Sequence, residues 1–115
     1  MKQKTQKKNM LNKNFQFQQV YRKGQSYVAP TVVTYILSKP RGQVRYGITA
    51  SKKIGGAVDR NRARRVIRAA LSELLPDIDG AYDLVFVARK ATITTKSHHL
   101  YSVLHSQFTK AGIIR

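Results

Sequence analysis

Cysteine is absent from this 115-residue chain. Disulfides, thiolate metal sites and cysteine nucleophiles are therefore excluded, and a reducing cytoplasm is compatible with the composition. No apolar run approaches the ~20 residues that a membrane-spanning helix needs. The basic N-terminus also lacks the apolar region of a secretory signal. We therefore expect a cytoplasmic protein with no membrane partner.

Acidic residues are scarce. Five Asp and Glu stand against twenty-two Lys and Arg, which gives a formal net charge of +17. All five acids lie between residues 59 and 83, so they cannot neutralise the N-terminal half. A compact chain with this charge repels itself and needs a strong core, a polyanionic partner or both. Because the hydrophobic content of 42% suits a globular domain, we expect one folded domain that binds a polyanion.

Groups for protein-based catalysis are also few. No carboxylate lies near His98, His99 or His105 in the last predicted helix, so a surface or core role is favoured over catalysis or metal binding. Asp59 is better explained as a cap or dipole partner of the helix that follows it. We therefore predict no catalytic residue and no metal ligand in this chain. If the function is hydrolytic, an RNA with bound Mg²⁺ could supply the chemistry.

The densest basic segment, residues 51–75, is predicted to be an amphipathic helix over most of its length. At about 100° per residue, Arg60, Arg64 and Arg68 fall on one arc. Asn61, Arg62 and Arg65 extend this arc. The opposite stripe is apolar and consists of Ala63, Ile67, Ala70, Leu71 and Leu74. A solvated basic face without a partner is the poorer interpretation, because like charges three or four residues apart repel one another.

The remaining pattern predicts a two-layer α+β domain over residues 14–115, in the order αββαβα. Residues 1–13 are lysine-rich and are predicted to form a mobile basic arm, either solvated or in contact with phosphates. Residues 31–37 and 44–49 are predicted to pair as an antiparallel hairpin, and residues 82–88 to form a buried central strand. The last helix is expected to begin at Thr94 or Thr95 and to end near Ala111.

The first helix is expected to run from an N-cap at Asn14 to about Lys23. Its apolar residues Phe17, Val20 and Tyr21 follow the i, i+3, i+4 spacing. These rings could be core residues, or they could stack on unpaired bases at about 1–3 kcal/mol per base.

The basic segment resembles a known signature. Residues 52–58, KKIGGAV, are followed by Arg60-Asn61-Arg62 and by residues 64–68, RRVIR, a pattern similar to that of the bacterial ribonuclease P protein subunit. Further matches extend the resemblance from about residue 12 to residue 108, and they include Phe17, Val20, Tyr21, Gly24, Tyr35 and Ala88-Arg89-Lys90. The pattern departs from the family at Gly56, Arg64 and Ala69, where a polar residue, a lysine and an acid are common.

The resemblance implies a small α/β sandwich with a left-handed βαβ crossover through the Arg-Asn-Arg helix. It implies one protein per RNA in a ribonucleoprotein endoribonuclease that removes the 5′ leader of precursor tRNA. The RNA subunit would perform the hydrolysis with Mg²⁺. By position, the implied contacts to the catalytic RNA are Lys53, Arg60, Asn61, Arg62, Arg64, Arg65 and Arg68. The implied leader contacts are Phe17, Tyr21, Tyr35, Lys52, Arg89 and Lys90.

Two other classes remain open at the level of the sequence. A ribosome-associated or general RNA-binding module without an enzymatic role would share the charge and the α+β order. A basic membrane-active protein is disfavoured, because the apolar stripe of the basic helix is needed for the core.

Overall fold

The computed structural model describes residues 10–114, which form three helices and four strands. In chain order these are α1 (Asn14–Lys23), β1 (Gln25–Val28), β2 (Val32–Ser38), β3 (Arg45–Thr49), α2 (Ala57–Leu74), β4 (Tyr82–Ala88) and α3 (Ser97–Ala111). Short 3₁₀ turns occur at Lys52–Ile54, Leu75–Asp77 and Lys90–Thr94. The strands form one sheet in the order β1-β2-β4-β3. The predicted α+β class is confirmed.

The predicted hairpin is wrong, because β4 lies between β2 and β3. Strand β4 runs antiparallel to β2 and parallel to β3. Its apolar run has the lowest exposure in the sheet, with Leu84, Val85 and Phe86 fully buried, and the central position gives it a neighbour on each side. Helix α2 provides the long connection that a parallel pair such as β3 and β4 requires.

One further strand and two helix starts also differ from the prediction. Strand β1 was not expected, because its sequence carries no alternating apolar signal, and its residues are mostly exposed. Helix α1 begins at Asn14 with Lys13 as its N-cap, and the Gln16 side chain accepts a hydrogen bond from the Lys13 backbone N–H at 3.0 Å. Helix α3 begins after Lys96, because the preceding residues form a 3₁₀ turn around the buried Thr92. The Thr92 hydroxyl donates to the carbonyl of Thr31.

Helices α2 and α3 cover one face of the sheet. All five residues of the predicted apolar stripe on α2 are buried, together with Val66. Leu100, Leu104 and Phe108 bury the matching face of α3, and the Phe108 ring lies 6.2 Å from that of Phe86 in β4. This is the main core of the protein. No helix within residues 10–114 is long and apolar enough to cross a membrane.

Helix α1 packs on the other face of the sheet. Val20 is fully buried there in a small cluster with Val85 and Leu11. The Leu11 backbone N–H donates to the Tyr46 carbonyl at 2.7 Å, which joins the N-terminal segment to the free edge of β3. Leu11 is therefore a core residue, although it lies in the segment predicted to be an arm. Residues 1–9 of that predicted arm lie outside the described residues.

Candidate nucleic-acid interface

The arginines of α2 occupy two flanks of the helix and the surface between them. Arg60, Arg64 and Arg68 form a half-buried row at a spacing of four residues. Arg62 lies about 160° around the helix from Arg60. Its Nε donates to the Ile93 carbonyl at 2.7 Å, so Arg62 is oriented towards the turn before α3. Arg65 and Asn61 lie between these flanks and are exposed, and Asn61 accepts a hydrogen bond from Arg64 at 3.1 Å.

The positive charge of α2 is not balanced by acids. Within residues 10–114, none of the five α2 arginines forms an ion pair; the pairs present join Asp83 to Arg45 and to Lys39. Asp59 lies in the first turn of α2, as expected for a dipole partner. The α2 surface therefore attracts anions from outside this part of the chain.

Four further cations gather at the end of the sheet where α2 begins. Strands β3 and β4 are parallel, so the segments that follow them leave the sheet at the same end. These segments carry Lys52 and Lys53 after β3, and Arg89 and Lys90 after β4, and all four are exposed. The Arg89 guanidinium donates to the Ala29 carbonyl at 3.2 Å, which holds it against the loop between β1 and β2.

The two faces of the sheet are covered unequally. On the face of α2 and α3, residues such as Val32, Thr34 and Ile36 of β2 are buried. On the α1 face, Tyr35 of β2 and Val87 of β4 remain half-buried. The ten-residue helix α1 does not cover this face completely, and part of the sheet surface beside it stays accessible to solvent.

Aromatic rings lie on this partly exposed surface. We call the surface the α1 groove and define it by Phe17, Tyr21, Tyr35 and Val87. The rings of Tyr21 and Tyr35 meet edge to face, with centroids 4.9 Å apart and an interplanar angle of 77°. All three aromatic residues contact the small core cluster yet keep exposed surface. The structure thus brings Phe17, Tyr21 and Tyr35 together at a surface that an unpaired base could reach.

An ion pair between the half-exposed Arg45 and the buried Asp83 joins β3 to β4 and was missed in the sequence. The Asp83 side chain is 1% exposed and accepts two hydrogen bonds from Arg45, at 2.9 and 2.8 Å. These hydrogen bonds raise the pKa of Arg45 above its ordinary value. Lys39 approaches the same carboxylate at 3.8 Å. The available signal was an acid within an otherwise apolar strand, which in a folded protein requires a partner.

No three His, Asp or Glu side chains within residues 10–114 are grouped so that they could hold a metal ion. The rings of His98 and His99 lie 4.5 Å apart at an interplanar angle of 36°, on the exposed start of α3. Asp83 is engaged by Arg45.

Comparison with known proteins identifies the family. The family model for ribonuclease P matches residues 5–112. The chain belongs to the ribonuclease P protein family. The ribonuclease P protein component of Bacillus mycoides (strain KBAB4) is 41% identical over 110 residues, which cover 95% of this chain and 96% of the relative. That of Bacillus cereus (strain AH187) is 39% identical over the same length.

Solved structures agree with this assignment. The ribonuclease P protein of Staphylococcus aureus superposes with a TM-score of 0.80 at 29% identity, over 93% of this chain and 98% of that protein. The ribonuclease P protein of Thermotoga maritima has a TM-score of 0.71 at 20% identity, over 82% of this chain and 89% of that protein, and shows the same fold. The resemblance found in the sequence is confirmed, whereas the roles of individual residues stay predictions.

Proposed function

We propose that this chain is the protein subunit of a cytoplasmic ribonuclease P, with one copy bound to each catalytic RNA. In this proposal it assists the RNA in removing the 5′ leader of precursor tRNA. One observation supports two separate RNA-binding roles. The basic helix α2, whose arginines have no acidic partner among the described residues, and the α1 groove lie on opposite faces of one sheet. A basic end of the sheet lies at the start of that helix. A subunit that must hold two RNA strands at once needs two such surfaces.

Helix α2 is proposed to bind the catalytic RNA. Its arginines, Asn61 and the preceding Lys53 would contact phosphates, and each cation that replaces a condensed counterion contributes to affinity. Arg side chains suit this role, because the guanidinium presents paired N–H donors to a phosphate. The Arg62 side chain already donates a hydrogen bond to the Ile93 carbonyl, so it loses less conformational entropy on binding RNA than a side chain without such a contact would.

The α1 groove is proposed to hold the single-stranded leader. Bases stack on aromatic side chains at about 1–3 kcal/mol each, and every base offers a flat face, so this contact tolerates any leader sequence. Lys52, Arg89 and Lys90 would neutralise leader phosphates at the basic end of the sheet. Hydrolysis itself is assigned to the RNA, which would bind most of the Mg²⁺. The protein would lower the Mg²⁺ requirement by supplying positive charge.

Replacing Tyr35 tests the groove. Tyr35→Ala is expected to weaken binding of the holoenzyme to precursor tRNA by about fivefold or more, because one stacked base is lost. Affinity for mature tRNA should not change, since that RNA has no leader. Both affinities can be measured by fluorescence titration in Ca²⁺, with cleavage suppressed. Tyr101→Ala is the matched control, because Tyr101 is also half-buried but lies on α3, across the sheet. An equal loss for both RNAs would place Tyr35 in the core instead.

Replacing Arg65 tests the basic helix. Arg65 is exposed, and no protein hydrogen bond of its side chain is found in the described part of the chain. Arg65→Ala should therefore leave the melting temperature unchanged while reducing the salt slope of catalytic-RNA binding by about one. Arg62→Ala should weaken binding and also lower the melting temperature, because the contact to Ile93 is lost. Lys110→Ala, at the exposed end of α3, removes the same charge and should alter the slope less than Arg65→Ala. Equal slopes for the Arg65 and Lys110 variants would argue against a specific α2 interface.

A further inference from the structure

Gly47 lies directly beneath the ring of Phe17. It is a buried residue of β3 and pairs with Val85 of β4, whose side chain belongs to the small core cluster under α1. A Cβ atom at residue 47 would lie 2.5 Å from both Cε1 and Cζ of Phe17. Carbon atoms in contact normally stay about 3.5–4.0 Å apart. The Phe17 ring therefore occupies the space that a β3 side chain would fill.

The backbone of Gly47 does not itself require glycine. The glycines with positive φ are Gly42, Gly55, Gly80 and Gly112, and Gly47 is not among those found in the described residues. Glycine within a strand weakens it and often marks a close approach by another group. At residue 47 that group is the Phe17 ring. Space for this ring is the physical reason that we find for glycine here.

We propose that Gly47 is a positioning residue that sets the depth of Phe17 in the α1 groove and thereby its contact with an unpaired leader base. This inference rests on the proposed function. An added methyl group would push the ring outwards by roughly 1 Å or more, to restore normal contact distances. The displaced ring would then stand in the path of the leader, so the groove would change while the sheet beneath it stays intact.

The nature of the collision decides what the substitution does. A Cβ at Gly24 would meet the backbone oxygens of Val20 and Ile36 at 2.6 and 2.9 Å, which cannot move without shifting α1 or β2. At Gly47 the added atom would meet only the far edge of a side chain within 3 Å, and the next contact, Leu11 Cβ, is at 3.4 Å. We therefore expect Gly24→Ala to compromise folding and Gly47→Ala to leave a folded protein with an altered groove.

A double-mutant cycle in the reconstituted holoenzyme tests this role. Affinities for precursor and mature tRNA are measured with the wild-type protein, Gly47→Ala, Phe17→Ala and the double variant. Gly47→Ala should weaken precursor binding by about fivefold or more and leave mature tRNA unchanged. In the Phe17→Ala background the same substitution should change precursor affinity by less than about twofold, because the ring through which it acts is gone. Equal loss for both RNAs, the same loss in both backgrounds, or no loss would overturn the role of Gly47.

Two measurements on the free protein test the contact between Gly47 and Phe17 without RNA. The free wild-type protein should show a nuclear Overhauser effect between the Phe17 ring protons and the Gly47 α protons, and its absence would overturn the geometry. If Gly47→Ala lowers the melting temperature of the wild-type protein, it should lower that of the Phe17→Ala variant much less, because the ring with which it collides is gone. An equal decrease in both backgrounds would contradict the account. A wild-type holoenzyme without preference for a leader would overturn the proposed function. A preference lost in Phe17→Ala but kept in Gly47→Ala would overturn only the role of Gly47.

Discussion

Raising the salt concentration from 50 to 200 mM is expected to weaken binding of this protein to the ribonuclease P RNA by about three orders of magnitude. The five α2 arginines and Lys53 would neutralise about six phosphates, and each neutralised phosphate contributes about −0.7 to −0.9 to the slope of log affinity against log salt. The expected slope is therefore roughly −4 to −5. Filter binding at a fixed Mg²⁺ concentration measures it over this range.

The size of this slope distinguishes a phosphate-binding helix from a merely charged one. None of the α2 arginines is paired with an acid among the described residues, so their charge is not neutralised within this part of the protein. A slope shallower than about −2 would mean that fewer than three phosphates are neutralised. That result would contradict the proposed α2 interface.

Removing Arg45 is expected to lower the free energy of unfolding by about 3 kcal/mol. Arg45→Met leaves the Asp83 carboxylate buried and without its two short hydrogen bonds, and an uncompensated buried charge is costly. This loss is at the low end of that for buried pairs, because the Arg45 side chain is 36% exposed and water can partly replace it. Urea denaturation at constant salt measures the change as a lower midpoint with an unchanged slope.

Lys39→Met is the matched control for Arg45. It removes the same unit of charge from the chain, so any relief of self-repulsion is the same for both variants. Lys39 lies 3.8 Å from Asp83, which is too far for a hydrogen bond, so its loss should cost less than about 1 kcal/mol. Equal destabilisation by the two substitutions would show that Asp83 does not depend specifically on Arg45.

Local sequence patterns were sufficient to predict the helices and the most buried strand. The apolar spacing of α2 identified the five residues that the core buries, and Gly112 ends α3 in the left-handed conformation that favours glycine. The apolar run of β4 correctly predicted a central position in the sheet. These features depend on residues within a few positions of one another, and such information is present in any single segment.

Strand partners could not be predicted in the same way. Strands β2 and β3 are neighbours in sequence, and the short turn between them suggested a hairpin. The more apolar β4 comes later in the chain and lies between them. This central position buries the most apolar surface, because β4 then has a strand on each side. Strand β1 carries no apolar alternation and is recognisable only by its pairing with β2.

In the candidate site, too, the residues could be named from the sequence, whereas their contacts could not. The resemblance to the ribonuclease P family named the rings and cations, and the structure brings Phe17, Tyr21 and Tyr35 together in one groove. Arg60 and Arg62 lie at the two ends of the expected arc, which spans more than half of the helix circumference, and the structure adds the hydrogen bond from Arg62 to the Ile93 carbonyl. The contact of Gly47 with Phe17 joins residues thirty positions apart, and no local pattern in the sequence indicates it.

Cleavage by the reconstituted holoenzyme tests the central claim most directly. Precursor tRNA is incubated with the cognate catalytic RNA at an Mg²⁺ concentration at which the RNA alone reacts slowly, with and without this protein. We expect the protein to accelerate removal of the 5′ leader, and Tyr35→Ala to lose part of this acceleration while still binding the RNA. Tight binding to the RNA with no effect on cleavage would contradict the account and would indicate a non-enzymatic RNA-binding module.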